Sequence, residues 1–129
     1  MPKTELAFEG TWKGMNQKIE VNIPLIIFQE EAVHIVYCPA LELSGYGYSE
    51  TEAKASFETA LSEFLLYVTR KDTLETVLTG LGWQIRSKNK PMIPPSLDEL
   101  SDGNENVKNI LDNIPHQIYN RSVSFSATA

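Results

Sequence analysis

One cysteine, Cys38, stands alone in a chain of 129 residues. A single thiol excludes an internal disulfide framework and any zinc site built from a set of cysteines. No run of about 18 apolar residues occurs, so no helical membrane span is encoded. The longest apolar stretch, Pro24-Leu25-Ile26-Ile27-Phe28, is strand-sized. Positive charge is scarce as well, with 11 Lys and Arg against 17 Asp and Glu, a formal net charge of −6. That shortage weighs against broad binding to a phosphate backbone, which needs clustered cations. An acidic excess suits solubility or docking onto a basic partner. The segment Met1-Pro2-Lys3-Thr4-Glu5 lacks the basic head and apolar core of a signal peptide, so the expected compartment is the cytoplasm.

What remains is an ordinary globular composition of a length that suits one domain. Residues 1–18 are mixed, with Phe8, Trp12 and Met15 as large apolar groups, and read as an N-terminal extension with one short strand around 9–14. Ile19, Val21, Ile23, Leu25 and Ile27 then recur at period two, which marks a strand with one buried face. The alternate set, Glu20, Asn22, Pro24, Ile26 and Phe28, turns apolar toward its end, so a second face is covered there. Pro24 has no N–H, so its nitrogen must point to an unpaired position or a bulge. Gln29-Glu30-Glu31 reads as the hairpin turn. Val33, Ile35 and Tyr37 alternate with His34, Val36 and Cys38 in a second strand, and Leu41 and Leu43 belong to a short third.

Ser49-Glu50-Thr51-Glu52 reads as a capping box, the Ser49 hydroxyl accepting from the Glu52 N–H and the Glu52 carboxylate returning to the N–H of Ser49. Ala53, Phe57, Ala60, Leu61, Phe64, Leu65 and Val68 follow at helical spacing, which predicts a helix over 50–70. A second helix is expected from an Asp72 cap, with Leu74, Val77, Leu78 and Leu81 on its apolar side. Residues 83–86 read as a fourth strand. Residues 88–129 read as an appended segment: a proline-rich linker with one helical turn, a short helix over 106–114, and an alternating Ser122–Ala127 strand, for which a serine-rich disordered tail is the competing reading. The expected fold is α+β, with a three-stranded antiparallel meander, the long helix on one face, and the fourth strand parallel to the first by the right-handed crossover rule. Its core spans 19–87. Ile26, Phe28 and Val36 are assigned to the second sheet face, to be covered by the tail or by another chain.

The chemistry-bearing residues have plain structural readings. Gly45-x-Gly47 before a helix suggests a phosphate loop, but the third position is Glu50, whose carboxylate repels phosphate. Glu30, Glu31, Glu42, Glu58 and Glu63 could serve a metal-dependent nuclease, yet the first strand holds no aspartate and solvated faces explain them. His34 and His116 have no nucleophile beside them, and Cys38 has no basic neighbour, so it reads as a small buried hydrophobe. Arg86, Lys88 and Lys90 form a weak basic patch beside Trp83. No catalytic residue, metal ligand or cofactor-binding residue is assigned.

From Tyr37 to Ala53 the sequence resembles the HicB antitoxin family. Pro39 and Leu41 supply a proline–x–leucine step, Gly47 a glycine ahead of the helix, and Ser49, Glu52 and Ala53 the helix start, with Glu30-Glu31 as an acidic turn before them. The resemblance implies a partial ribonuclease-H-like fold without the nuclease's acids, self-association, and binding to a small basic RNA-cleaving toxin of the HicA type. Such antitoxins usually add a C-terminal ribbon-helix-helix or helix-turn-helix unit, and no match is present here, which weighs against DNA binding. The expectation is therefore a non-enzymatic interaction protein, a homodimer, with Glu30, Glu31, Ile26, Phe28 and Val36 as partner-binding residues and Ser49 and Glu52 as a structural cap. The alternatives are a stand-alone protein of the same fold that binds another protein, RNA or a small ligand, and a metal-dependent nuclease.

Overall fold

The computed structural model of the chain describes residues 17–85 and 92–127. The short strand around 9–14 and the basic patch at Arg86, Lys88 and Lys90 lie outside the described residues. Strands β1 (Gln17–Glu30), β2 (Val33–Cys38) and β3 (Leu43–Gly47) form the expected antiparallel meander. Helices α1 (Glu50–Tyr67) and α2 (Lys71–Gly80) follow, then a two-residue strand β4 (Gln84–Ile85). Next come β5 (Met92–Ile93), α3 (Leu97–Gly103), α4 (Glu105–Asn113) and β6 (His116–Ala127). The main sheet has the order β3-β2-β1-β6 and every pairing in it is antiparallel.

The parallel fourth strand is thus corrected. Gln84 and Ile85 pair with Ile93 and Met92 in a separate two-stranded ribbon, and β6 occupies the position beside β1. The reason is length and pattern. Two residues bury little and bond little, whereas β6 pairs with β1 from Gln17↔Ala127 through Phe28↔His116 without a break. The C-terminal segment is part of the sheet, and the strand reading of Ser122–Ala127 extends back to His116.

The β1–β2 hairpin closes through Glu31 and Ala32, a two-residue loop whose flanking Glu30–Val33 pair is hydrogen-bonded by geometry. Bonded and non-bonded pairs alternate along an antiparallel ladder. Phe28, Ile26 and Pro24 therefore direct their backbone toward β2. Pairing with β2 stops at Ile26↔Tyr37, so Pro24 lies past the last pair and its missing N–H disrupts nothing. Glu31 itself has φ 54°, a left-handed conformation more usual for glycine.

The same register settles the two faces. Residues directly opposite share a face, so Ile27 pairs with Val36 and Phe28 with Ile35. On one side Ile19, Val21, Ile23, Leu25, Ile27, Val36, Val123 and Phe125 pack under Ala53, Phe57 and Leu61 of α1 and Leu74 and Leu78 of α2. Trp83 joins this core, its Nε1–H donating to the Ala40 carbonyl at 2.8 Å and its ring meeting Phe125 edge-on at 5.8 Å. On the other side Ile26, Phe28, Ile35 and Tyr37 are sealed by Val107 and Ile110 of α4. Placing Val36 on that second face is corrected: the two-residue loop sets the parity of β2, and Ile35 and Tyr37 take the position.

Two glycines let α1 lie almost directly on β3. A Cβ on Gly45 would sit 2.2 Å from the Phe57 nitrogen and 2.5 Å from the Ala53 carbonyl, and one on Gly47 would come 2.4 Å from the Glu52 Cβ. Gly45 and Gly47 are strand residues, not a phosphate loop. Ser49 caps α1 by accepting from the Glu52 N–H at 3.1 Å, as expected, but the Glu52 carboxylate returns to the N–H of Tyr48 at 2.8 Å and not to Ser49. The helix ends at Tyr67, three residues before the expected Arg70, with Val68 as C-cap. Arg70, not Asp72, precedes α2, and Asp72 is inside its first turn, held by Arg70 at 3.2 Å.

Candidate functional site

The residues expected to meet a partner separate into two groups. Glu30 and Glu31 are exposed at the hairpin tip. Ile26 and Phe28 are buried beneath α4, and Val36 is buried in the opposite core. The chain covers its own second sheet face, so what a partner meets there is the outer surface of α3 and α4.

That outer surface is acidic for a local reason. Both helices are short and amphipathic, and both begin on strong caps. Ser96 accepts from the Glu99 N–H at 3.1 Å while Glu99 accepts from the Ser96 N–H at 2.9 Å, a reciprocal capping box. Asn104 Oδ1 accepts from Asn106 and Val107 at the start of α4. With Val107 and Ile110 turned inward, Asp98, Glu99, Asp102, Glu105 and Asp112 remain exposed. The single lysine among residues 97–113, Lys108, is paired with Asp112 at 3.2 Å. Five acids and one base make this segment −4 of the chain's −6.

The rim of this face continues onto the sheet. A shallow groove of about 160 Å³ runs between β2, β3 and α4, lined among others by Glu30, Ser44, Tyr46, Asn106 and Asn109. Beside it, the Tyr37 hydroxyl donates to Glu42 at 3.1 Å. Burial, with the neighbouring Glu42 charge second, pushes the Tyr37 phenol up to about 12. Glu42 is itself exposed, in a left-handed turn at φ 55°.

The same hairpin end of the sheet holds a more open cavity of about 420 Å³ between β1, β2 and the start of β6, lined by Ile27, Phe28, Gln29, His34, Glu50, Pro115, His116 and Gln117. His116 Nδ1 lies 2.7 Å from the Ile114 carbonyl, which can only accept, so Nδ1 carries the hydrogen and Nε2 is the acceptor of the neutral ring. Glu50 is tied to Lys54 at 2.9 Å, and this hydrogen bond holds its carboxyl below the ordinary range. Along α1 toward β6, Lys54 Nζ lies 5.1 Å from the Tyr119 ring centre, and Arg121 grips Glu58 with two nitrogens, at 2.9 and 2.6 Å. The Arg121 hydrogen bond lowers the Glu58 carboxyl from its usual value.

The carboxylates considered for a nuclease do not converge. Glu42 bonds Tyr37 on the α4 side of the sheet, while Glu58 is engaged by Arg121 on the α1 side. Among the described residues no group of three or more His, Cys, Asp or Glu is placed to hold a metal ion. Cys38 is buried, and burial pushes its thiol up to about 12, the protonation state of a small apolar side chain. Sequence reasoning missed the Ser96–Glu99 box, although Ser-x-x-Glu was there to be read, and it missed the Glu58–Arg121 pair, which joins positions 63 residues apart. No protein-family model, no curated protein and no solved structure matches this chain.

Proposed function

We propose that the chain is a non-catalytic protein-binding module that docks a basic partner on the acidic face of α3 and α4, and that this partner is a small RNA-cleaving toxin of the HicA type. One observation carries the reading. Four of the six net negative charges are concentrated on one helical pair whose apolar side is spent on closing the sheet, with Glu30 at the groove's rim and Glu42 beside it. A surface of one sign gathers a partner of the other sign and speeds encounter. The resemblance over Tyr37–Ala53 supplies the kind of partner, and the close approach of α1 to Gly45 and Gly47 explains why that stretch of sequence is shaped as it is.

The test is calorimetric titration of the chain with a small basic protein of the HicA type, together with RNA cleavage by that protein. Binding should abolish cleavage and weaken steeply with added salt. Replacing Asp98, Asp102 and Glu105 together with lysine should weaken binding at least tenfold while leaving the circular dichroism unchanged. Binding that ignores both salt and these substitutions would overturn the assignment of the face.

The 420 Å³ cavity favours a second reading, a small polar ligand held by the carboxamides of Gln29 and Gln117 and the imidazoles of His34 and His116. Ligand screening by thermal shift, with loss of the shift in His34→Ala, would support it over the first.

A further inference from the structure

We infer that the chain forms a two-fold dimer by pairing β6 with β6 of a second copy, with Asn120 beside the axis, joining two four-stranded sheets into one of eight strands. The two edges of the sheet are treated differently by the sequence. At the β3 edge the outward N–H of Tyr46 donates to Ser56 Oγ at 3.1 Å, and just beyond the strand the N–H of Tyr48 donates to Glu52 at 2.8 Å. Helix α1 thereby takes up groups through which another strand could add. The β6 edge carries little such protection. It runs for twelve residues, roughly 40 Å at the rise of an extended strand, with no proline, no lysine and no break in register. Among the described residues no strand lies against its outer side.

The hairpin parity identifies the groups on that side. Even-numbered β1 residues bond toward β2, so odd-numbered ones bond toward β6, to Phe125, Val123, Arg121, Tyr119 and Gln117. His116, Ile118, Asn120, Ser122, Ser124 and Ser126 therefore direct both N–H and C=O outward. The Arg121 guanidinium reaches round to the Ser122 carbonyl, as an outward carbonyl permits.

A second copy of this chain fits that edge by charge. His116–Ala127 carries one formal charge, Arg121, which is already engaged by Glu58. The rest of the chain is −7, since −6 less the +1 of this strand leaves −7. Two copies can therefore meet along β6 with their acidic α3–α4 surfaces outside the seam. The outward residues are mostly small, neutral and self-complementary. Two exposed apolar groups, Ile118 at 45 % and Tyr119 at 40 %, lie near one end of the strand and would gain cover.

Symmetry narrows the register. An axis normal to the sheet keeps both α1 helices on one side, and opposed residues must then share a face, so one residue lies opposite its own copy. Arg121 in that place would oppose two guanidinium groups at the closest type of pair. Moving the axis to Asn120 avoids this. It sets Tyr119 against Arg121 of the second copy and Ile118 against Ser122, and it makes roughly ten backbone hydrogen bonds, a number usual for a stable interface.

Sedimentation equilibrium at micromolar concentration should give twice 14.5 kDa. Asn120→Cys should form an interchain disulfide under mild oxidation while Ser126→Cys does not; the native Cys38 is buried and does not compete. Ile118→Lys with Ser122→Lys places like charges across the seam and should yield monomer with unchanged circular dichroism. Ile118→Lys with Ser122→Glu should restore the dimer. A monomeric native chain, including one whose own residues 1–16 occupy this edge, would overturn the inference, as would a dimer indifferent to these paired charges.

Discussion

Truncating Phe125 to alanine asks whether the C-terminal strand is part of the core or a tail laid beside it. The ring is 1 % exposed, in the core beneath α1 and α2, and edge-on to Trp83 at 5.8 Å. Removing a buried phenyl group loses its transfer energy and leaves a cavity, which together cost about 3–5 kcal/mol. The lost aromatic pair contributes about 0.5–1.5 kcal/mol of preference beyond area. An expected loss of about 4 kcal/mol is a large part of the roughly 5–15 kcal/mol that holds a domain of this size. With a urea slope of about 2 kcal/mol per molar, the unfolding midpoint should fall by about 2 M. Ile118→Ala, on the same strand but exposed, is the control, and its monomer should change by less than about 1 kcal/mol. Chemical denaturation followed by tryptophan fluorescence reads both. A Phe125→Ala loss below about 1 kcal/mol would refute the placement of β6 in the core and with it the antiparallel fourth strand.

Gly45→Ala should destabilise by about 3 kcal/mol, because the new Cβ meets α1 backbone at 2.2 Å and neither the helix nor the strand can yield cheaply; thermal melting checks it. Glu31→Gly should stabilise by about 0.5–1 kcal/mol, since the left-handed strain at φ 54° exceeds the entropy lost by introducing glycine; a lower urea midpoint would contradict this. Tyr37 ionises later folded than unfolded, so its contribution is fully present below about pH 10 and is lost as pH rises through about 12. Phenolate absorbance should show a late transition that is absent in Tyr37→Phe, and Glu42→Gln should bring that transition to lower pH.

The local part of this fold was legible. Period two in Ile19–Ile27 and in Val33–Cys38, and helical spacing from Ala53 to Val68, are properties of neighbouring residues, and burial of one face follows directly from them. The Ser49 cap was equally local. The parity of β2 was not read correctly, because it depends on whether two or three residues make the turn, and Gln29-Glu30-Glu31 offers no glycine to mark it. The partner of β1 was not read correctly either. Local pattern cannot choose between a short strand at 83–86 and a long one at the C-terminus, since that choice rests on the sum of twelve pairings made across a hundred residues of chain.

The candidate site divides in the same way. Acidic excess and the exposed Glu30 and Glu31 were written in the residues alone. That Ile26 and Phe28 are closed by α4, leaving α3 and α4 to present Asp98, Asp102, Glu105 and Asp112, was decided by packing, because an apolar helix side seals whichever sheet face is left uncovered. A chain with one cysteine and few cations declared from sequence what chemistry it lacks. Which strand forms the edge of the described sheet was settled only when β6 took its place beside β1.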